Sequence, residues 1–126
     1  MSVGLIDGAM DLLADHCIID QGTSGDWYYR KWSDGILECW LHKNIGTVNA
    51  KGSFGGTYYG DTSLTLPVTF ARDPAAFASG YWDSGMAWMN ARDFTDNLTK
   101  IRIQFYKNSP GNAEALLHLY LIGEWK

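Results

Sequence analysis

A chain of 126 residues is long enough for one domain with a single core and too short for two. Its net charge of −4, with Arg30-Lys31 as the longest basic run, speaks against nucleic acid as a partner, because phosphate binding draws on clustered lysine and arginine. Fourteen glycines, six tryptophans and seven tyrosines point to short strands and turns, not to a helical bundle.

The first element in chain order is a helical pattern over residues 3–17, "VGLIDGAMDLLADHC". Ile6, Met10, Leu13 and Cys17 recur at spacings of four, three and four, with Asp7, Asp11 and Asp15 elsewhere on the helix. This narrow apolar stripe fits either its own domain or a neighbouring copy. Gly8 weakens such a helix by about 1 kcal/mol relative to alanine, so something outside it must hold it.

From residue 18 the period changes to two. Tyr28 to Trp32 and Ile36 to Leu41 flank "SDG", a strong hairpin signal, because Asp-Gly readily supplies positive backbone angles. A two-residue turn sets Lys31 opposite Glu38; a three-residue turn sets Arg30 there instead. Either register gives Glu38 a cation across the ladder.

Residues 43–63 read as loops and short strands with little alternation. "LTLPVTFA" (64–71) reads as a strand, with Pro67 placing it at an edge or bulge. "DPAAFASGYWDSGMAWMNARDF" reads as two strands linked around Asp83-Ser84-Gly85. Ile101, Ile103 and Phe105 alternate with Arg102, Gln104 and Tyr106, "NSPGN" turns the chain, and "EALLHLYLIGEW" follows as a long, more completely buried strand. The expected fold is mainly β: a short N-terminal helix, then an antiparallel β-sandwich of about eight strands.

Little in the chain points to chemistry. No stretch reaches the length of a membrane-spanning helix, and no secretory signal pattern is visible. Cys17 and Cys39 are expected as buried thiols in preference to a disulfide. With no CxxC motif, and with His16, His42 and His118 scattered, neither a metal nor another cofactor is expected. Ser53 and Ser84 lie outside any GxSxG motif, and Cys39 falls mid-strand, where a thiol is inert. Asp61, Asp73, Asp83, Asp93 and Asp96 fall in loops or at strand ends with no spacing that demands an active site. The expectation is therefore a protein without enzymatic activity. "FGGTYYG" and "YWDSGMAWMN" place Phe54, Tyr58, Tyr59, Tyr81, Trp82 and Trp88 beside Asp, Asn and Arg. Sugars bind by stacking on such rings while polar neighbours take their hydroxyls. Tyr58, Tyr59, Trp82, Asp83, Trp88 and Arg92 are the candidate ligand contacts.

The segment "DQGTSGDWYYRKWSDGILECW" resembles the motif that opens the C-terminal domain of tail-fibre and minor tail proteins of phages and prophages of Firmicutes. Gln21, Gly22, Gly25, Trp27, Tyr29, Arg30, Lys31, Trp32, Gly35, Glu38, Cys39 and Trp40 match it, while Asp20 replaces the usual Glu and Leu37 a small residue. "LPVTFARDPAAFAS" and the ending "LIGEWK" are similar to the same family, so the matching segments bracket residues 20–126, with 43–63 and 80–97 outside the resemblance, and imply a natural protein end. It implies a homotrimeric β-sandwich knob (19–126) on a short helical stalk or linker (1–18), at a fibre tip assembled in the bacterial host cytoplasm and carried on the virion. It further implies adhesion to a host surface polysaccharide or teichoic acid, without membrane insertion. Ile6, Met10, Leu13, Tyr29, Arg30, Lys31, Glu38 and Trp40 would then lie at or near the subunit contact. A fibre-tip glycan hydrolase or deacetylase, or a purely structural trimerisation cap, are the alternative functions.

Overall fold

The computed structural model describes residues 16–50, 52–82 and 87–126, apart from the side chains at 48, 81, 82, 87, 92 and 113. Among the described residues there are nine strands and no helix. The helical stripe of Ile6, Met10 and Leu13 lies outside them. Cys17, the last member of that stripe, is not helical: its N–H donates to Ser33 Oγ (3.0 Å) and its carbonyl accepts from Ser33 N–H (2.7 Å). It is tied to the hairpin turn and only partly buried, not fully as expected, and both cysteines are free thiols.

Two antiparallel sheets carry the strands. The first runs in the order β1 (Ile18–Ser24), β2 (Trp27–Trp32), β3 (Ile36–Ala50), β9 (Gly111–Glu124), β6 (Ala75–Trp82). The second runs β4 (Gly52–Phe54), β5 (Thr57–Thr65), β8 (Lys100–Lys107), β7 (Ala87–Thr95). The inner rows meet in one core. Trp27, Leu37, Cys39, Leu41, Leu117, Leu119 and Leu121 come from the first sheet, and Met89, Ile101, Ile103 and Phe105 from the second. This is a β-sandwich, as the alternation along residues 101–106 predicts.

Three expectations are corrected. Residues 43–50 are not loops but the second half of the 15-residue strand β3, held by a ladder to β9 that runs from Ile36↔Glu124 to Ala50↔Gly111. "LTLPVTFA" leaves the sheet after Thr65, and Leu66 and Phe70 are buried as loop residues. β9 alternates instead of burying both faces: Leu117, Leu119 and Leu121 point inward, and His118 is exposed.

The hairpin takes the three-residue turn, with Lys31↔Leu37 the last ladder pair and Arg30 opposite Glu38. Its inner face is Trp27, Tyr29, Leu37, Cys39 and Leu41; its outer face is Tyr28, Arg30, Trp32, Glu38 and Trp40. Aromatic residues therefore cover both faces because one face is core. Trp125 seals the turn: its N–H donates to Gly35 O (2.9 Å), its Nε1 to Trp32 O (2.7 Å), and Lys31 Nζ sits 4.3 Å from its ring centroid.

Candidate functional site

Strand register brings three aromatic side chains into one outward row on the four-stranded sheet. Tyr59 on β5 pairs with Tyr106 on β8, and Tyr106 pairs with Trp88 on β7. Alternation puts the next residues, Leu64, Ile101, Ile103 and Phe105, inward. The Trp88 and Tyr106 rings lie nearly parallel with centroids 5.6 Å apart. Gly52, opposite Tyr59 on β4, leaves room for that ring: a Cβ there would lie 2.5 Å from it. The row spans two strand spacings, about 10 Å.

Two residues further along the strands lies a polar row, Asp61–Gln104–Asn90. Tyr106 donates its hydroxyl proton to Gln104 Oε1 (2.7 Å), which fixes both side chains and turns the amide nitrogen of Gln104 away from that contact. Beyond it Arg102 donates through Nε to Asp93 Oδ1 (2.8 Å) and through Nη2 to Asp93 Oδ2 (2.5 Å). Those bonds raise the guanidinium pKa, partial burial opposes the rise, and the charges of Asp93 and Asp61 add to it. Beside Tyr59 and Asp61, where β3 passes β5, a cleft of about 550 Å³ is lined by Thr47, Asn49 and Thr62 among others.

Of the residues expected to contact a ligand, Tyr59 and Trp88 fall on this platform. Tyr58 faces the other way and packs against the core. Trp82, Asp83 and Arg92 carry side chains outside the description. Tyr106, Gln104, Asn90 and Asp61 complete the surface. The alternation of Arg102, Gln104 and Tyr106 marked those three as outward-facing, but nothing local marked which strands would lie beside them.

The outer face of the five-stranded sheet carries a second aromatic row, Tyr28–Trp40–Tyr120–Phe77, across four strands. Tyr28 is 52% exposed and Phe77 62%. Glu38 lies in the next row, between Arg30 and Ile122. It accepts from Trp32 Nε1 (2.6 Å) and from the Tyr120 hydroxyl, with Arg30 Nη1 at 3.9 Å. The Arg30 guanidinium lies 5.2 Å from the Trp40 ring centroid and 5.9 Å from that of Trp32, and its Nε is buried without an acceptor. Of the residues expected at a subunit contact, Arg30, Glu38 and Trp40 are on this face. Tyr29 and Lys31 point to the opposite one, and Ile6, Met10 and Leu13 lie outside the described residues. Among the described residues neither face of the adjoining edge strand β1 is covered, and Ile18 and Ile19 are exposed on it.

Burial, and then the hydrogen bond to Glu38, push the Tyr120 phenol from its ordinary 10.0 up to about 12. The folded state therefore holds this proton more tightly than the unfolded chain. The contribution to stability is complete below about pH 10 and is lost as pH rises through about 12. In an absorbance titration the Tyr120 phenol should appear as a step near pH 12, and Tyr120→Phe should remove it. Absence of a Tyr120-dependent step near pH 12 would contradict the Tyr120–Glu38 contact.

Burial likewise pushes the Cys39 thiol up to about 12, so it stays protonated and inert at neutral pH. Among the described residues no three His, Cys, Asp or Glu side chains converge as a metal site would require. No family model matches the chain, and neither do the curated proteins or the solved structures that were compared with it.

Proposed function

We propose that this chain is the receptor-binding tip domain of a phage tail fibre, a non-enzymatic adhesin that acts as a homotrimer on the virion and holds a host surface glycan. The observation that carries the reading is the Tyr59–Tyr106–Trp88 row beside Asp61–Gln104–Asn90. Aromatic side chains held on a rigid sheet offer contact area at little entropic cost, and the neighbouring amides and carboxylate supply donors and acceptors for hydroxyls. Weak single sites would gain avidity from three copies per fibre. The family resemblance of residues 20–40 supports the assignment. The second aromatic face, with Tyr28 and Phe77 exposed, and strand β1, exposed among the described residues, support the assembly, because exposed apolar side chains beside a sheet edge mark an interaction surface.

The test pairs light scattering with adhesion. The wild-type protein should show a mass near three times 14.1 kDa and, once labelled, decorate bacterial cells. Trp88→Ala combined with Tyr106→Ala should remove decoration and keep that mass. Trimers that decorate no cell in a broad panel would favour a structural cap, and undiminished decoration by the double variant would move the site elsewhere.

A further inference from the structure

We infer that the β5–β8–β7 platform selects neutral polysaccharide chains, run across the strands, and rejects polyanionic polymers such as phosphodiester-linked teichoic acids; this rests on the adhesin reading above. Among the described residues, the charged groups at this surface are Asp61, Asp93, Arg102 and, at the end of β8, Lys100 with its partner Asp96, a net charge of −1 from three acids and two bases. Arg102 is the group an oxyanion would seek, because its planar fork matches phosphate. Asp93 already takes two of its donors in a bidentate pair, and Asp61 adds a second negative charge acting on the same guanidinium. A phosphate would reach only the remaining N–H donors of a guanidinium whose charge Asp93 already offsets, and would approach both carboxylates against like-charge repulsion.

The other lysines on β8 offer no alternative. Lys107 at one end is buried, 3% exposed, and Lys100 at the other reaches Asp96 at 3.4 Å. The cleft beside Tyr59 carries the same signature: hydroxyls and an amide from Thr47, Thr62 and Asn49, with Asp61 the charged residue among the described ones that line it. A neutral sugar needs none of the missing charge. Its apolar C–H faces can stack on the aromatic row while its hydroxyls reach the row of Asp61, Gln104 and Asn90 on one side. Because both rows run from strand to strand, the chain of sugars lies perpendicular to the strands.

The experiment titrates the whole protein with a panel of neutral hexasaccharides (glucans, galactans and N-acetylglucosamine oligomers) and with poly(glycerol phosphate) and poly(ribitol phosphate), between about 0.01 M and about 1 M salt. The expected result is binding of a neutral member with an affinity that salt changes by less than roughly twofold, and no binding of either phosphate polymer. Trp88→Ala should weaken the neutral ligand at least roughly tenfold. The double variant Asp61→Asn with Asp93→Asn frees Arg102 and should gain salt-sensitive affinity for the phosphate polymers. Its fold is checked by its circular dichroism, and where it fails to fold Asp61→Asn alone should show the smaller gain. Binding of a phosphate polymer by the wild type, weakening with salt, overturns the inference and leaves the adhesin reading standing. Binding of no polymer overturns the inference as well; if labelled protein also decorates no cell, the adhesin reading falls with it.

Discussion

Replacing Phe105 by alanine lowers the stability of the fold by about 3–5 kcal/mol. Phe105 is fully buried at the middle of β8, with its backbone paired to Gly60 of β5 on one side and Met89 of β7 on the other. Leu117, Leu119 and Leu121 from the opposite sheet belong to the same core. Removing the ring gives up its transfer free energy and leaves a cavity that two laddered sheets can fill only by shifting against each other. A domain of this size has roughly 5–15 kcal/mol in all, so the variant should unfold at a much lower denaturant concentration, with a similar slope. Phe105→Leu, which keeps most of the volume, should cost less than half as much. Phe54→Ala serves as the contrast: at 83% exposure its ring contributes little, and the change should stay within about 0.5 kcal/mol. Equal effects at Phe54 and Phe105 would mean that the core lies elsewhere.

Phe105 also illustrates what the sequence makes legible. Ile101, Ile103 and Phe105 alternate with polar residues, and a period of two states which face is inward whatever the partner strands are. The Asp34-Gly35 hairpin is readable for the same local reason. Its three-residue turn is not, since both registers set a cation against Glu38, and the choice between them is made by the ladder to β9 and by Trp125 bonding Gly35 and Trp32. Residues 43–50, rich in Asn, Gly and Thr, have weak strand propensity. They are extended because β9, some seventy residues later, lies alongside them, and no local window contains that partner. "LTLPVTFA" errs the other way. Its apolar residues report burial of Leu66 and Phe70 correctly, but the backbone is satisfied by single bonds, Leu66 N to Thr99 O and Ala71 N to Glu124 O, not by a ladder.

The candidate site was half legible on the same grounds. Tyr59 and Trp88 stand out as rings among polar residues, yet they are 29 residues apart and touch the same surface only because β8 lies between β5 and β7. Tyr106 supplies the middle ring and reads, in sequence, as the solvent side of an ordinary strand. Turn residues announce that the chain reverses without saying where it goes: "NSPGN" links β8 in one sheet to β9 in the other. The hairpin's aromatic excess had a similar ambiguity. Trp27 and Tyr29 are core, and of the three rings that remain outside, Tyr28 and Trp40 continue through Tyr120 to Phe77 on strands far away in the chain.

The same dependence on distant partners makes Gly80→Ala the second severe substitution, at roughly 3 kcal/mol or more. Gly80 sits in edge strand β6 with φ of 147°, a conformation that L side chains rarely adopt. Its Cβ would lie 1.9 Å from the carbonyl oxygen of Leu116 and 2.9 Å from Met89 Cε. Met89 could swing aside, but the carbonyl belongs to β9, an interior strand laddered to β3 on its other side. Either β9 moves, disturbing its ladder with β3, or β6 peels away from Ala75↔Ile122 through Trp82↔Ala115. Losing the edge strand is the cheaper course, since β6 pairs with β9 alone. Hydrogen exchange should therefore show lost protection along β6 and along the side of β9 that faces it, with β2 and β3 still protected. Peeling would also carry Phe77 away from Tyr120, ending the aromatic row at Tyr120 and removing one wall of the shallow basin formed with Trp40, His42 and His118. If that face holds a neighbouring copy, the variant should dissociate at concentrations where the wild type remains assembled. Unchanged exchange in β6 would show that the strand tolerates a side chain there, and would contradict the close approach of Gly80 to Leu116.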